Sequence, residues 1–294
     1  MKMKRYDSFV IGHISIDENI YQEETAKEIG GAVFYSSCAS YAIGHKIGIL
    51  TKLSPRDRKY LEAFIIPQEN ITALDSRNTT SIRNIYHSAD RERRTCTALS
   101  IADPFTIDDV PDNIVSQIYH FAGLISGEFD SEMIRFLHNK GRVALDVQGF
   151  LRTVAENKEM VFIDWEKKME YLPYIDYLKT DAAEAEIMTG TKDRKKAAEI
   201  LFGWGTKEIM ITHNKEVLIY NGKKHYTCPL KPRNLSGRTG RGDTCFSAYI
   251  TERLDRRIEE ALLFAAALVS LKMEKPGPFK GTRDDVKNYI KKYY

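Results

Sequence analysis

The chain has 294 residues, 43% of them hydrophobic and 29% charged, with a formal net charge of +3. These values are those of a soluble globular protein long enough to bury a large core, and they predict one α/β domain with a smaller appendage. A charge so small, with basic and acidic residues interspersed, gives no ground for a nucleic-acid partner. The longest apolar run, Ala261 to Leu271, falls short of the roughly 18 residues that span a membrane and reads as a buried helix.

The N-terminus lacks the length and small-residue cleavage site of a signal peptide. The four cysteines, Cys38, Cys96, Cys228 and Cys245, lie far apart, with neither metal-ligand spacing nor a disulfide framework. A cytoplasmic location is therefore expected. The seven histidines show no ligand spacing and are assigned no metal.

In chain order, Tyr6 to Gly12 predicts a buried first strand, followed by a short segment carrying Asp17. Gly30 and Gly31 open a helix over Ala32 to Ile43. Ile47 to Leu53 reads as a strand and Pro55 to Phe64 as a helix. Residues Thr79 to Ser100 break this alternation as two extended segments joined by a charged turn near Ala89 to Arg93. With Asp17 to Tyr21 they predict a small sheet standing off the main one.

The alternation resumes with strands at Ile118 to Ala122, Arg142 to Val147, Asp176 to Lys179 and Glu208 to Thr212. Helices are expected over Ser131 to Lys140, Ala182 to Thr189 and Arg194 to Phe202. Asn221-Gly222 between Val217 to Tyr220 and Lys224 to Thr227 is a hairpin signal. Helices from Asp243, over Ile258 to Met273 and over Arg283 to Ile290 complete the chain. This order predicts a mostly parallel sheet with helices on both faces.

The stretch SGRTGRGDTCFSAYIT, Ser236 to Thr251, carries the chemistry. Gly240 and Gly242 let the backbone turn sharply and approach a ligand. The helix that follows offers unpaired amides and the positive end of its dipole, a site for a phosphate oxygen. A carboxylate there repels an anion, but it has a purpose if Asp243 takes a proton from a hydroxyl attacking the phosphate. The plain alternative is that Asp243 is a helix cap after a turn. Cys245, in the first turn of that helix, reads as packing, in a position that can depress a thiol pKa.

This stretch resembles the C-terminal signature of the PfkB (ribokinase-like) family of sugar and nucleoside kinases, D-T-x-G-A-G-D. Gly240, Gly242 and Asp243 match, while Gly237, Arg238 and Arg241 stand where Asp, Thr and Ala are usual. The resemblance spans nearly the whole chain. It implies a ribokinase-like three-layer sandwich with a mostly parallel central sheet and a small β lid, from segments near residues 14–22 and 79–100.

Catalysis is then implied at Asp243 as base and at the amides of Gly240, Arg241 and Gly242 as the anion hole, with Arg241 placing a cation inside the loop. GGAVFYSSCASYAIG resembles the family's N-terminal signature, with Tyr35 where an Asn commonly contacts a sugar hydroxyl. Gly30, Gly31, Tyr35 and Asp17 are the implied acceptor-binding residues. A carboxylate such as Asp17 can accept from two adjacent hydroxyls. The pattern D-x-Q-G-x-x-R at Asp146, Gln148 and Arg152 resembles inositol-kinase-like members, and Arg152 can pair with a phosphate or with Asp146.

TDAAE resembles the N-x-x-E motif, so Asp181 and Glu184 are implied to hold waters around Mg²⁺. An acidic first helical turn is the alternative. Thr212 and Asn214 occupy the place of the T-x-G nucleotide loop, and EKPGP, Glu274 to Pro278, that of the segment closing over adenine.

The function implied is transfer of a phosphoryl group from ATP, with Mg²⁺ and with room for a monovalent cation, to a hydroxyl of a small sugar or polyol. A nucleoside acceptor stacked on Phe34, Tyr35 or Tyr86, and a non-catalytic sugar-binding sensor on the same scaffold, are the alternatives. A lid with an exposed edge can also pair two copies into a homodimer.

Overall fold

The computed structural model describes residues 2–87 and 94–294. The chain opens with β1 (Lys4–Ile11), the hairpin β2 (Ser15–Tyr21) and β3 (Glu24–Gly30), then α1 (Ala32–Ala42) and β4 (Ile47–Leu53). Next come β5 (Ile71–Asp75), β6 (Ser81–Tyr86), β7 (Arg94–Ser100), β8 (Ile114–Phe121), α2 (Glu132–His138) and β9 (Arg142–Asp146). Short pieces follow: α3 (Gln148–Leu151), β10 (Arg152–Val154), β11 (Met160–Phe162) and α4 (Lys168–Tyr171). The last part holds β12 (Tyr177–Asp181), α5 (Ala182–Thr189), α6 (Arg194–Gly203), β13 (Glu208–Thr212), β14 (Glu216–Tyr220) and β15 (His225–Pro229). It closes with α7 (Arg241–Glu252), α8 (Ile258–Met273) and α9 (Arg283–Tyr293).

Nine strands form the central sheet in the order β15-β14-β13-β12-β9-β8-β1-β4-β5. The seven from β13 to β5 run parallel, and β14 and β15 fold back antiparallel through the hairpin expected at Asn221-Gly222. Inner strands of a parallel sheet are covered on both faces, which is why β1 and β4 read as nearly unbroken apolar runs. Alternate residues face opposite layers. Phe9 and Ile11 enter the core shared with α2, α5 and α6, while Val10 packs on the α1 side. Met210 of β13 joins the apolar layer of α7, α8 and α9.

A second sheet, β3-β2-β6-β7, stands over the C-terminal ends of the parallel strands. It is the small sheet expected from Asp17 to Tyr21 and Thr79 to Ser100. The charged turn expected near Ala89 to Arg93 lies outside the described residues. The helix expected over Pro55 to Phe64 is present as a 3₁₀ helix, Pro55–Ala63; it buries only Leu61, so no apolar stripe holds it in a wider coil. One feature departs from the sequence reading. Strand β3 was not expected. Its sequence ETAKEIG is mostly exposed, and the hairpin with β2, not burial, makes it a strand.

Helices α1 and α7 lie close because they meet through small side chains. The Ser247 hydroxyl donates to Ser36 O at 2.7 Å, and Ser40 Oγ lies 2.6 Å from Ser247 Oγ. The far end of α7 is anchored by buried Glu252, which pairs with Arg283 at 2.6 Å, Arg256 at 2.7 Å and His45 at 3.0 Å. The N-terminus of α7 is thus fixed from both sides, against the sheet ends and beneath the lid.

Candidate active site

Gly240 takes the left-handed conformation (φ 74°) that starts α7. A Cβ there would fall 2.2 Å from the Tyr35 ring, so only glycine fits. The amide of Arg241 closes on Arg238 O and that of Thr244 on Gly240 O. The amides of Gly242 and Asp243 have no backbone acceptor among the described residues. The Asp243 amide leans on its own carboxylate, and that of Gly242 is the donor a helix start turns toward an anion.

Asp243 is the third residue of α7. Burial first, then the carboxylate of Asp146, pushes its pKa up to about 6, while Lys179 and Lys272 pull it down. The α7 backbone here is tied to α1 through the Ser36 hydroxyl, which donates to Asp243 O at 3.2 Å. The plain cap reading fails: the N-cap is Gly240 and no side chain caps the helix.

Beside Asp243 lies a buried charge cluster that the sequence did not disclose. Lys179, on β12, pairs with Asp146 at the end of β9 at 2.8 Å and lies 3.9 Å from Glu184. It runs under Gly242, where a Cβ would sit 3.4 Å from its Nζ. Burial opposes charge on Lys179, but the carboxylates of Asp146, Glu184, Asp243 and Asp181 outweigh it and raise its pKa. Burial raises Asp146 in spite of Lys179, and it pushes Glu184 up to about 8, with Lys179 opposing and Asp181 and Asp146 adding.

Asp181 and Glu184 form a capping box on α5. Glu184 N donates to Asp181 Oδ1 and Asp181 N to Glu184 Oε2, both at 2.8 Å. The acidic-turn alternative is therefore realised in the fold, and each carboxylate still keeps a second oxygen. Among the described residues no group of three or more His, Cys, Asp or Glu side chains forms a ready metal cage.

On the lid side, Asp17 Oδ1 and Ser15 Oγ are buried without a hydrogen bond of good geometry, although the Ser15 hydroxyl and the Ile82 backbone lie near enough to the Asp17 carboxylate to lower its pKa. A buried acceptor needs a partner, which a water or a ligand hydroxyl can supply. Burial pushes Asp17 up to about 6, against the Ser15 hydroxyl, Arg94 and Arg152. Its carboxylate rests on Gly30, where a Cβ would be 2.6 Å from Oδ2. Gly31, at φ 100°, begins α1. Arg152 is 6% exposed and faces Cys96, Arg94 and Asp17. The expected choice for Arg152 between a phosphate and Asp146 is narrowed, because Asp146 is taken by Lys179 and accepts the Gln148 amide at 3.1 Å.

Tyr35 stands between the two halves of the site. Its ring covers Gly240, and the carboxylates of Glu28, Asp17 and Asp243 all act on its hydroxyl, which burial has already raised. Phe34 packs edge-on to Phe64 with ring centres 5.0 Å apart and is core, not a stacking platform. Asn214 accepts from Arg241 and Arg238 and so joins the expected nucleotide loop to the anion loop. The Thr212 hydroxyl donates to Thr180 O at 3.5 Å. Beside Glu274 to Pro278 lies a cleft of about 550 Å³, whose lining includes Lys275, Pro276, Phe279, Lys280 and Tyr289. Cys245 is packing: burial pushes its thiol up to about 12, so the helix start does not activate it.

Lys179, Lys272, Arg94 and Ser15 are the site residues that sequence reasoning missed. A lysine inside the buried strand Tyr177–Asp181 was the one available signal, since such a charge is retained only when paired.

A helix start that leaves the Gly242 amide without a backbone acceptor, a carboxylate of raised pKa in its first turn and a small sheet over the strand ends are the arrangement expected of a phosphotransferase. The comparisons agree, and the chain belongs to the family described as pfkB family carbohydrate kinase, whose model matches residues 72–284. It is similar to a cytidine kinase of Thermococcus kodakarensis, 27% identical over 252 residues, covering 83% of this chain and 87% of that one. Among solved structures it is similar to a pyrophosphate-dependent kinase in the ribokinase family complexed with a pyrophosphate analog and myo-inositol. Identity is 35% and the TM-score 0.86, over 96% of this chain and 99% of that one. The Arabidopsis thaliana ribokinase complexed with ribose and ATP shares the fold, with a TM-score of 0.78 at 17% identity over 98% and 99% of the two chains.

Proposed function

We propose that this kinase phosphorylates a hydroxyl of a small cyclic polyol, with Asp243 as the base. The observation that carries this reading is a buried Asp243 of raised pKa in the first turn of α7, across Tyr35 from the buried carboxylate of Asp17. The acceptor's hydroxyls donate to Asp17 Oδ1 and fix the reacting one toward α7. As its oxygen bonds to the terminal phosphorus, Asp243 takes its proton, and the bond from that phosphorus to the bridging oxygen breaks. The Gly242 amide at the start of α7 holds negative charge on the transferring group. Mg²⁺, when bound, neutralises the donor phosphates, and Asp181 and Glu184 would hold it through water.

ATP is the donor implied by the signature. A second reading, inorganic pyrophosphate, is favoured by the arginines of the loop. Arg238 and Arg241 supply charge where the usual signature has Thr and Ala, and a relative at 35% identity is pyrophosphate-dependent. The myo-inositol in that relative supports the cyclic polyol. The outer edge of β3 gives a second copy a strand to pair with, which sedimentation of the purified protein would detect.

The test is product formation from ATP or pyrophosphate, with Mg²⁺, over inositols, sugars and cytidine. Turnover of an inositol or another polyol supports the reading, and the donor that works names itself. Turnover of cytidine alone would replace the acceptor. Binding without turnover by any donor would leave a sensor and end the catalytic role of Asp243.

A further inference from the structure

Beneath the anion loop lies a buried cation that acts on Asp243 only through its charge and has no step of its own in the reaction above. Lys272, in the last turn of α8, is 3% exposed. Its ammonium donates to Gly237 O at 2.6 Å and to Thr239 O, and it lies 5.1 Å from the centre of the Tyr35 ring. It pairs with no carboxylate among the described residues. Removing an ammonium from water costs several kcal/mol unless its surroundings compensate. Here the compensation comes from two carbonyl dipoles, the negative face of a ring and the Asp243 carboxylate, the one charge that acts on it, and burial still lowers its pKa to about 8.

The loop is shaped around this ammonium. Gly237 N donates to Met273 O at 2.7 Å and the Ser236 hydroxyl to Glu274 O at 2.8 Å, so the loop is laid on the end of α8. A Cβ at Gly237 would fall 1.8 Å from Lys275 O, which leaves no room for the Asp of the usual signature. In a planar trans peptide the C=O and N–H point opposite ways. With Gly237 O and Thr239 O turned to Lys272, the amides of Arg238 and Gly240 are turned away from it. Inward-facing backbone carbonyls around one positive centre are also how proteins hold a dehydrated potassium ion.

We propose that the Lys272 ammonium is a tethered monovalent cation, which organises the donor-binding loop from within so that turnover needs no added potassium or sodium. Lys272 is a positioning residue: it touches the loop and not the substrates. The inference rests on the loop being the donor site.

The first measurement is wild-type turnover with choline or tetramethylammonium as the counter-ion, titrated with KCl. An unchanged rate is expected, and activation by potassium would overturn the proposal without any variant. The second uses Lys272→Ala, which empties the space, and Lys272→Met, which fills it with a neutral chain. Each should lower kcat by about 100-fold, the size expected when a reacting group is misplaced by about 1 Å. Potassium or ammonium should restore the alanine variant and leave the methionine variant unrestored. A folded alanine variant with wild-type kcat, or one that neither ion restores, refutes the proposal. If both variants fail to fold, the wild-type titration decides. If no acceptor is turned over, the kinase reading fails by itself. The same comparison is then made on pyrophosphate binding by calorimetry, with and without potassium.

Discussion

Replacing Lys179 by Met tests whether the buried charge cluster sets the working state of Asp243. The substitution keeps the length of the side chain and removes a cation 2.8 Å from Asp146 and 3.9 Å from Glu184. Breaking a buried pair by deleting one partner costs about 3–5 kcal/mol, because the other charge stays behind. That cost depends on pH in a definite direction. An acid whose folded pKa stands above its unfolded value costs the native state stability as pH rises past the unfolded value, and the cost is complete above the folded one. Glu184 already stands at about 8, and without Lys179 it and Asp146 rise further. The deficit in urea unfolding should therefore be largest at alkaline pH and shrink as pH falls and the carboxylates take protons. The same cation lowers Asp243. Losing an opposite charge raises a carboxylate's pKa. The acid limb of kcat/KM, expected near the Asp243 pKa of about 6 in the wild type, should then move to higher pH. An acid limb that stays in place, with a stability loss independent of pH, would refute the coupling.

Asp243→Asn keeps the shape and removes the base. It should lower kcat by about 10²–10⁴-fold, the usual contribution of general base catalysis, with little change in donor KM and no acid limb near pH 6. Steady-state kinetics across pH checks both. Asp17→Ala should raise the acceptor KM far more than the donor KM, because it removes the buried carboxylate on the lid side alone; equal effects on both would contradict the two-sided site. Gly240→Ala would place a methyl 2.2 Å from the Tyr35 ring at a positive φ. It should destabilise by about 1–3 kcal/mol, and Tyr35→Ala in the same chain should recover part of that in thermal unfolding. Arg241→Ala should weaken donor binding, read as a raised donor KM, and unchanged kinetics would remove Arg241 from the donor site.

The parts of this molecule that were legible in its sequence are those written in local pattern. The alternation of apolar runs placed β1, β4, β9 and β13 within a residue or two of their observed ends, and Gly240-Arg241-Gly242-Asp243 announced the start of α7. The lid was legible from Thr79 to Ser100, but its edge strand β3 was not, since ETAKEIG carries no periodic burial and is a strand only by pairing with β2. The same limit applies to the charges. Lys179 meets Asp146 across 33 residues and Lys272 meets Gly237 across 35, so neither contact leaves a trace in local spacing.

The departures from the usual signature make sense only as a set. An Asp at position 237 would collide with the Lys275 backbone, and the space it would need is closed because the loop rests on the end of α8. Tyr35 covers Gly240 from the α1 side, where the family often has an Asn, and its ring faces the ammonium of Lys272. A Gly237→Asp change alone should therefore not restore the common arrangement. It adds a carboxylate where the backbone leaves no room and where Lys272 already occupies the carbonyls. Exchanging Gly237 together with Lys272 and Tyr35 removes the ammonium and the ring and so frees the loop to move off the Lys275 carbonyl. If the three positions form one device, that triple variant should be more active than the sum of its single effects predicts, since residues sharing one contact network do not add. Strict additivity would mean that the three departures arose without reference to one another, and that the loop is held by the α8 backbone alone.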